Sequence, residues 1–453
     1  MQPARLVRSV NYRVYANQRC RTTDILWLFT LDVAPITTVN MPPASVYIIT
    51  KMSEDDSIYR ELDVTPIVNA AGTKTRIGGS RIRPAALDAM RRAAGEFVEI
   101  GELEARASAA IAEATGAEAG YVTSGAGAGL LLCAAAAIAG HDVGVMNALP
   151  DTTGVASEIV MPRTHRTGYD HAFRAAGAEI VDVGTNDRHL ATGATDVEPW
   201  QFDRAITDET VAVGYIEKSY TRPPLSAVVE VAHGNDVPVI VDAAAEVPPR
   251  ENLSRFVETG ADMVVFSGGK GIRGPQTTGF VAGTREHVAS IAAQHLDMHV
   301  ANDLWDPPTE LLDRDRLDGV PRQGIGRPLK VGKEELVGAI RALELFVEAD
   351  HGQREANWID LAEAMAQRLV EAGLDVRVTS PSGTSVAPEV VVDVAGSDVG
   401  IDATDLARTL RDEDPRVHVG TDDLPDGELV VNPMCLDGSE AEYAIDRIVA
   451  NVE

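Results

Sequence analysis

VVFSGGKGIRGPQTTG, residues 264–279, sets a lysine just past an apolar, strand-like run, behind Gly268 and Gly269 and ahead of Gly271. The chain is otherwise sparing with lysine, which stands only at positions 51, 74, 218, 270, 330 and 333. An amine held among small residues at a strand end is partly desolvated, which lowers its pKa and supplies the free base needed for a Schiff base with a carbonyl cofactor. Taken alone, Lys270 reads equally well as a surface lysine in a glycine-rich turn.

A second stretch changes that balance. VPVIVDAAAEVPP (237–249) ends its apolar run on Asp242, 28 residues before Lys270. That interval is about one crossover helix, and ligands of open α/β sheets gather at the carboxyl ends of the strands. A buried carboxylate there needs a cationic or hydrogen-bonding partner. The protonated ring nitrogen of pyridoxal phosphate is such a partner; capping of the following element is the plainer use of Asp242.

Two further stretches extend the constellation. YVTSGAGAGL (121–130) reads as strand, small residues, then helix, and backbone N–H groups at a helix N-terminus bind phosphate. It is no dinucleotide fingerprint, because Leu130 stands where a third glycine is required. MPRTHRTGYDHA (161–172) puts His165 just past another strand, flanked by Arg163 and Arg166, where an imidazole can stack on a flat ring or serve as a core residue. His295 and His299 have i, i+4 spacing without a companion metal motif, so no metal site is expected.

Around these motifs the chain alternates. Apolar runs at 119–124, 157–162, 178–184, 210–217, 237–243, 261–267 and 278–283 predict seven strands. The intervening runs at 170–178, 225–235 and 255–261 read as helices that finish at or next to glycine. This is the pattern of a mostly parallel α/β sheet covered by helices. A Pro- and Gly-rich stretch at 306–328 marks a boundary, so a large cofactor-binding domain is expected over 52–325 and a smaller C-terminal α/β domain over 326–453. In the latter, 333–350 is apolar at Leu336, Ile340, Leu343 and Val347, an amphipathic helix. Strands are expected at 375–380, 389–394, 416–420 and 428–433, and helices at 403–413 and 439–451.

Taken in order, VNAAGTKTRIGG (68–79), YVTSGAGAG, THRTGYDHA, VDAAAEVPP, FSGGKGIRGPQTTG and GIGRPLKVGKEELVGAIRALE (324–344) resemble the selenocysteine-synthase-like group of fold-type-I pyridoxal-phosphate enzymes. Within that group they are most similar to the D-glucosaminate-6-phosphate ammonia-lyases. The resemblance spans about residues 58–451. It implies an aspartate-aminotransferase-like fold and pyridoxal 5'-phosphate in Schiff-base linkage to Lys270. It also implies Asp242 on the pyridine nitrogen, His165 against the ring, and Ser124, Gly125, Ala126 and Ser267 near the phosphate. The implied activity is elimination of ammonia from a hydroxylated amino acid or amino sugar acid, with Lys270 removing the α-proton. The alternatives are a seryl-tRNA selenium transferase-like enzyme, or an aldolase, racemase or aminotransferase reaction on the same scaffold. Of Arg76, Arg81, Arg83, Arg166, Arg273 and Arg327 as holders of an anionic small-molecule substrate, Arg273 is preferred because it lies three residues from Lys270; Arg76 and Arg327 follow. A homo-oligomer with its active site at a subunit interface is implied as well.

Composition narrows the partners. The 453 residues carry 69 Asp and Glu against 40 Lys and Arg, a net charge of −29. Residues 1–51 alone carry +4, leaving −33 on the rest. An acidic body repels nucleic acid, whose binding needs local positive charge, and the tRNA-dependent alternative is weakened accordingly. Such a surface also fits a halophilic protein kept soluble at high salt. Residues 1–51 read as an atypical N-terminal extension, explained better by a start assigned too far upstream than by a real arm. Cys20, Cys133 and Cys435 are isolated, so neither a disulfide framework nor zinc is expected, and a cytoplasmic setting follows. No apolar run approaches the ~20 residues of a membrane span.

Overall fold

A computed structural model describes residues 57–185, 197–218, 221–380 and 387–452. The expectations for residues 1–51 lie outside them. Twelve strands are described: β1 Ile67–Ala70, β2 Ala119–Thr123, β3 Glu158–Pro162, β4 Glu179–Val183, β5 Thr210–Ile216, β6 Val239–Asp242, β7 Met263–Ser267, β8 Gly279–Gly283, β9 Asp375–Val378, β10 Val390–Asp393, β11 Arg416–Val419 and β12 Glu428–Val431. Each of the eleven strand-like runs in the sequence forms a strand, shortened by a residue or two at its ends.

Seven of them form one sheet in the order β2-β8-β7-β6-β5-β3-β4. Pairing is parallel from β7 through to β4, and only β8 runs antiparallel, between β2 and β7. The fold is thus the expected α/β architecture with a mostly parallel sheet. Runs such as MVVFS and GFVAG are apolar throughout because helices cover both faces of the sheet, so no side of the strand meets water. On one face the helices Ala126–Ala139 and Arg285–His295 contribute Leu130, Leu132, Ile291 and Ala292 to the core. On the other, Ile100–Thr115, Leu225–Gly234, Asn252–Glu258 and Lys333–Val347 contribute Ile111, Val228, Phe256, Leu336 and Phe346. Gly120 lets the first of these helices lie close to β2, since a Cβ there would sit 2.3 Å from Ile111 Cγ2.

A third core gathers Val68, Ala70, Met365, Leu369, Val390, Leu406, Val417 and Ile445. It lies beneath the antiparallel sheet β12-β10-β9 and the parallel pair β1-β11, whose register sets Ile67 opposite Arg416. Among the described residues no helix is long and apolar enough to cross a membrane.

Candidate active site

The carboxyl ends of the strands converge along one edge. Thr123 at the end of β2 and Ser267 at the end of β7 both stand opposite Gly279 across β8. Asp242, the last residue of β6, pairs with Val265 on one side and Ile216 on the other. Backbone bonds tie the same edge together: Glu217 N–H donates to Asp242 O at 3.0 Å, and Ala243 N–H to Val265 O at 3.0 Å. Lys270 follows β7 in a turn closed from outside by Ser80, whose Oγ donates to Lys270 O at 2.7 Å and to Gly269 O at 3.0 Å.

Electrostatics distinguish the lysine. Burial pushes the Lys270 amine below its ordinary pKa, with a further push from Lys218, while Asp242 and Glu246 oppose it. Among the described residues no hydrogen bond or ion pair holds this amine. Burial raises the Asp242 carboxyl, against the Ala244 N–H bond of 3.0 Å and the charges of Lys218 and Lys270. That bond engages Oδ1 and is the one described hydrogen bond to this carboxylate.

Lys218 and Glu246 were given no role from the sequence, although Glu246 lies within VDAAAEVPP, yet Lys218 acts by its charge on Asp242 and Lys270, and Glu246 on Lys270. Lys218 leaves the end of β5 and pairs with Glu246 at 2.7 Å, the glutamate side chain being 3% exposed and the lysine 35%. The one available signal was the scarcity of lysine. His165 is buried in the 3-10 turn Arg163–His165 after β3. Its Nδ1 accepts the Ile216 N–H at 3.3 Å, which leaves the proton on Nε2, and its ring stands edge-on to Tyr215 at 4.8 Å.

Ser124, Gly125 and Ala126 form the strand-to-helix turn. Gly125 has φ +89° and caps the helix Ala126–Ala139 with no side-chain bond, so the N–H groups of the first turn have no side-chain acceptor. Gly279 lies directly beneath; a Cβ there would come within 2.5 Å of Gly125 C and 2.6 Å of Ala126 N. An open row of N–H donors, a carboxylate with a free oxygen and an unpaired amine lie along one sheet edge. That donor set fits a flat heteroaromatic aldehyde bearing a phosphate, which is pyridoxal phosphate.

The arginine candidates separate. Arg76 approaches His418 Nδ1 at 3.5 Å, and burial with Arg411, Arg76 and Arg416 pushes that imidazole down to about 4. Arg81 pairs with Glu440, and Arg166 with Asp182 at 2.7 Å. Arg327 pairs with Asp297 at 3.3 Å and lines a cavity of about 520 Å³ with Gln323 and Lys330. Arg273 lines a different cavity, with Arg354 and Trp358, to which Lys270 does not contribute. His295 ends its helix and bonds Tyr121 Oη at 3.0 Å, while His299 lies beyond the helix. Among the described residues no group of His, Cys, Asp and Glu is placed to hold a metal ion.

Comparison with known proteins identifies the family and the fold. The aminotransferase class-V family model matches residues 170–297. D-glucosaminate-6-phosphate ammonia lyase of Salmonella typhimurium (strain 14028s / SGSC 2262) is 31% identical over 400 residues, spanning 86% of this chain and 97% of the relative. A 5'-C-glycyluridine monooxygenase-decarboxylase of Streptomyces sp is 30% identical over 398 residues, spanning 86% and 90%. An L-seryl-tRNA(Sec) selenium transferase of Nitratidesulfovibrio vulgaris is 25% identical, spanning 77% and 74%. A solved structure of D-glucosaminate-6-phosphate ammonia-lyase superposes with a TM-score of 0.72 at 30% identity, covering 88% of this chain and 99% of the other. The chain belongs to the D-glucosaminate-6-phosphate ammonia-lyase family of pyridoxal-phosphate-dependent enzymes.

Proposed function

We propose that the protein eliminates ammonia from a β-hydroxylated amino acid, with D-glucosaminate 6-phosphate or a closely similar amino sugar acid as substrate. The observation that supports this reading most is the placement of the unbonded Lys270 amine and the Asp242 carboxylate along one sheet edge, each within the other's electrostatic reach, in a chain 31% identical to the Salmonella lyase over most of its length.

Bound pyridoxal phosphate supplies an electron sink for the bond broken at the substrate's Cα. The protein's own groups do the rest. The first-turn N–H groups at Ala126, with Ser124 and Ser267, would hold the phosphate. Asp242 would accept the ring N–H on the carboxylate oxygen not used by Ala244, and a low-dielectric setting would strengthen that contact. His165, oriented by the Ile216 N–H on its Nδ1 and by edge-on contact with Tyr215, would pack against the ring. Lys270 would hold the cofactor's carbonyl carbon and, with its amine free, would take the substrate's α-proton as general base. It then returns a proton to the departing β-hydroxyl, which leaves as water. Hydrolysis of the resulting enamine consumes that water equivalent and gives ammonia and a 2-keto acid.

A homo-oligomer is part of this reading, supported by the exposed apolar residues Phe97, Val98 and Ile100. Cofactor-loaded protein supplied with D-glucosaminate 6-phosphate and a panel of D- and L-hydroxyamino acids is expected to release ammonia and 2-keto acid in equal amounts. Release of CO₂ without ammonia, or exchange of the amino group with a keto acid, contradicts the proposal.

A further inference from the structure

The guanidinium groups of Arg83, Arg273 and Arg354 lie within electrostatic reach of one another, and none of them is paired with a carboxylate among the described residues. Arg273 has φ +62°, a conformation that non-glycine residues rarely adopt. It is held there by bonds from its Nε to Arg81 O at 3.0 Å and from Arg83 N–H to its own carbonyl at 3.1 Å. Arg83 reaches Leu345 O with one terminal nitrogen at 3.2 Å, while the other is buried with no hydrogen-bond partner. Arg354, on the helix His351–Glu371, lies 4.7 Å over the Trp358 ring, and one of its terminal nitrogens is likewise buried without a partner. None of the three belongs to an ion pair among the described residues. The whole chain offers 69 acidic residues for 40 basic ones, yet among the described residues none of the acidic ones pairs with these three guanidinium groups.

Arg273 and Arg354 border a cavity of about 540 Å³, with Trp358, Leu361, Met434 and Leu436 as its apolar wall. That volume suits a small ligand. Two acidic residues also line it, Asp360 and Asp437. Asp437 is already used locally, accepting from Glu440 N–H at 2.9 Å and Ser439 Oγ at 2.7 Å. Burial, with Arg273 and Arg83 nearby, pushes Arg354 down to about 10. Like charges in this arrangement repel, and a bound dianion relieves the repulsion. The charges that act on Lys270 are a different set: Lys218, Asp242, Glu246 and Lys74.

We propose that this cavity is a second anion site, in which Arg273 and Arg354 grip a phosphomonoester with Arg83 behind them. Planar guanidinium forks suit the tetrahedral oxygens of phosphate, and a cluster of positive charges favours a dianion over a single carboxylate. The proposal does not rest on the reaction assigned above.

The test is calorimetric titration of inorganic phosphate, in chloride buffer, into cofactor-loaded protein whose first phosphate cradle is already filled. Wild type is expected to bind one phosphate per chain and to melt at a higher temperature in its presence. Arg354→Gln is expected to weaken binding at least tenfold. Because it removes a repelled charge, it is also expected to melt no lower than wild type without phosphate. Should Arg354→Gln not fold, Arg354→Lys, which keeps the charge but not the fork, is expected to bind at intermediate strength. Arg106→Gln, which loses only an exposed pair with Glu344, serves as the unaffected control. Competition between phosphate and D-glucosaminate 6-phosphate assigns the cavity to the remote end of the substrate, and simultaneous binding assigns it to a separate phosphomonoester. Absence of phosphate binding to wild type, or equal binding by the Arg354 and Arg273→Gln variants, overturns the proposal.

Discussion

Lys218 Nζ lies 2.7 Å from Glu246 Oε1, and the same lysine is a positive neighbour of both Asp242 and Lys270. Lys218 therefore does two things. It neutralises a carboxylate that is itself raised by burial, and it adds to the depression of the Lys270 amine. Lys218→Met is expected to raise the Lys270 pKa, so the pH at which cofactor incorporation becomes half-maximal moves upward. It also strands Glu246, at a cost of roughly 1–3 kcal/mol after discount for the partial exposure of Lys218. The double variant Lys218→Met/Glu246→Gln recovers the stability but not the pH profile. Stopped-flow incorporation of pyridoxal phosphate across pH reads the first effect, and chemical denaturation reads the second. Coincident profiles for wild type and both variants exclude the assigned role.

Glu104 gives a stability prediction away from the chemistry. It is wholly buried on the helix Ile100–Thr115, accepts the Val122 N–H at 3.2 Å, and is pushed up to about 8 by burial. Between its usual 4.5 and that value, the folded state keeps a proton that the unfolded state releases. Stability from this group is therefore complete at low pH and falls as pH rises through the window, by at most roughly 1.4 kcal/mol per pH unit. Glu104→Gln removes the dependence. Urea denaturation from about pH 5 to about pH 8 should show the variant gaining on wild type as pH rises; parallel curves would refute the account.

Gly279 tests the phosphate cradle. A methyl group there meets the Gly125 and Ala126 backbone at 2.5–2.6 Å, so Gly279→Ala must push the strand-to-helix turn outward. Overpacking of this kind costs about 1–3 kcal/mol. The displacement is expected to weaken pyridoxal phosphate by about tenfold or more, which 1.4 kcal/mol already supplies. Equilibrium dialysis measures this; unchanged affinity places the phosphate elsewhere.

Asp242→Asn keeps the shape of the side chain and loses the charge. Removing a preorganised electrostatic contact in a dry site typically costs 100–1,000-fold in rate, and a loss of about that size is expected in ammonia release, with cofactor still bound. A variant as active as wild type removes Asp242 from the mechanism.

How far the sequence reaches is seen by following single residues. The strands of the large sheet were legible because they are buried on both faces, which writes each as a short apolar run bounded by polar or glycine residues. Asp242 stood out because it ends such a run, and Lys270 because it follows one by three residues, both at the edge where the strands' carboxyl ends lie. Lys218 and Glu246 were not, since their meaning comes from pairing across the ends of β5 and β6. Arg354 reads in sequence as one more polar residue on an amphipathic helix. Only folding sets it beside Arg83 and Arg273, far away along the chain. The β1-β11 pair is hidden for the same reason, because short strands near opposite ends of the chain have no local pattern announcing their partner.

The most direct test of the account is where the cofactor attaches. Protein loaded with pyridoxal phosphate, reduced with borohydride and digested, should yield by mass spectrometry one pyridoxyl-modified peptide bearing the label on Lys270. The label should be absent from Lys270→Ala. A label on Lys218, or no modified peptide from wild type, would contradict the assignment of Lys270 as the group on which the chemistry turns.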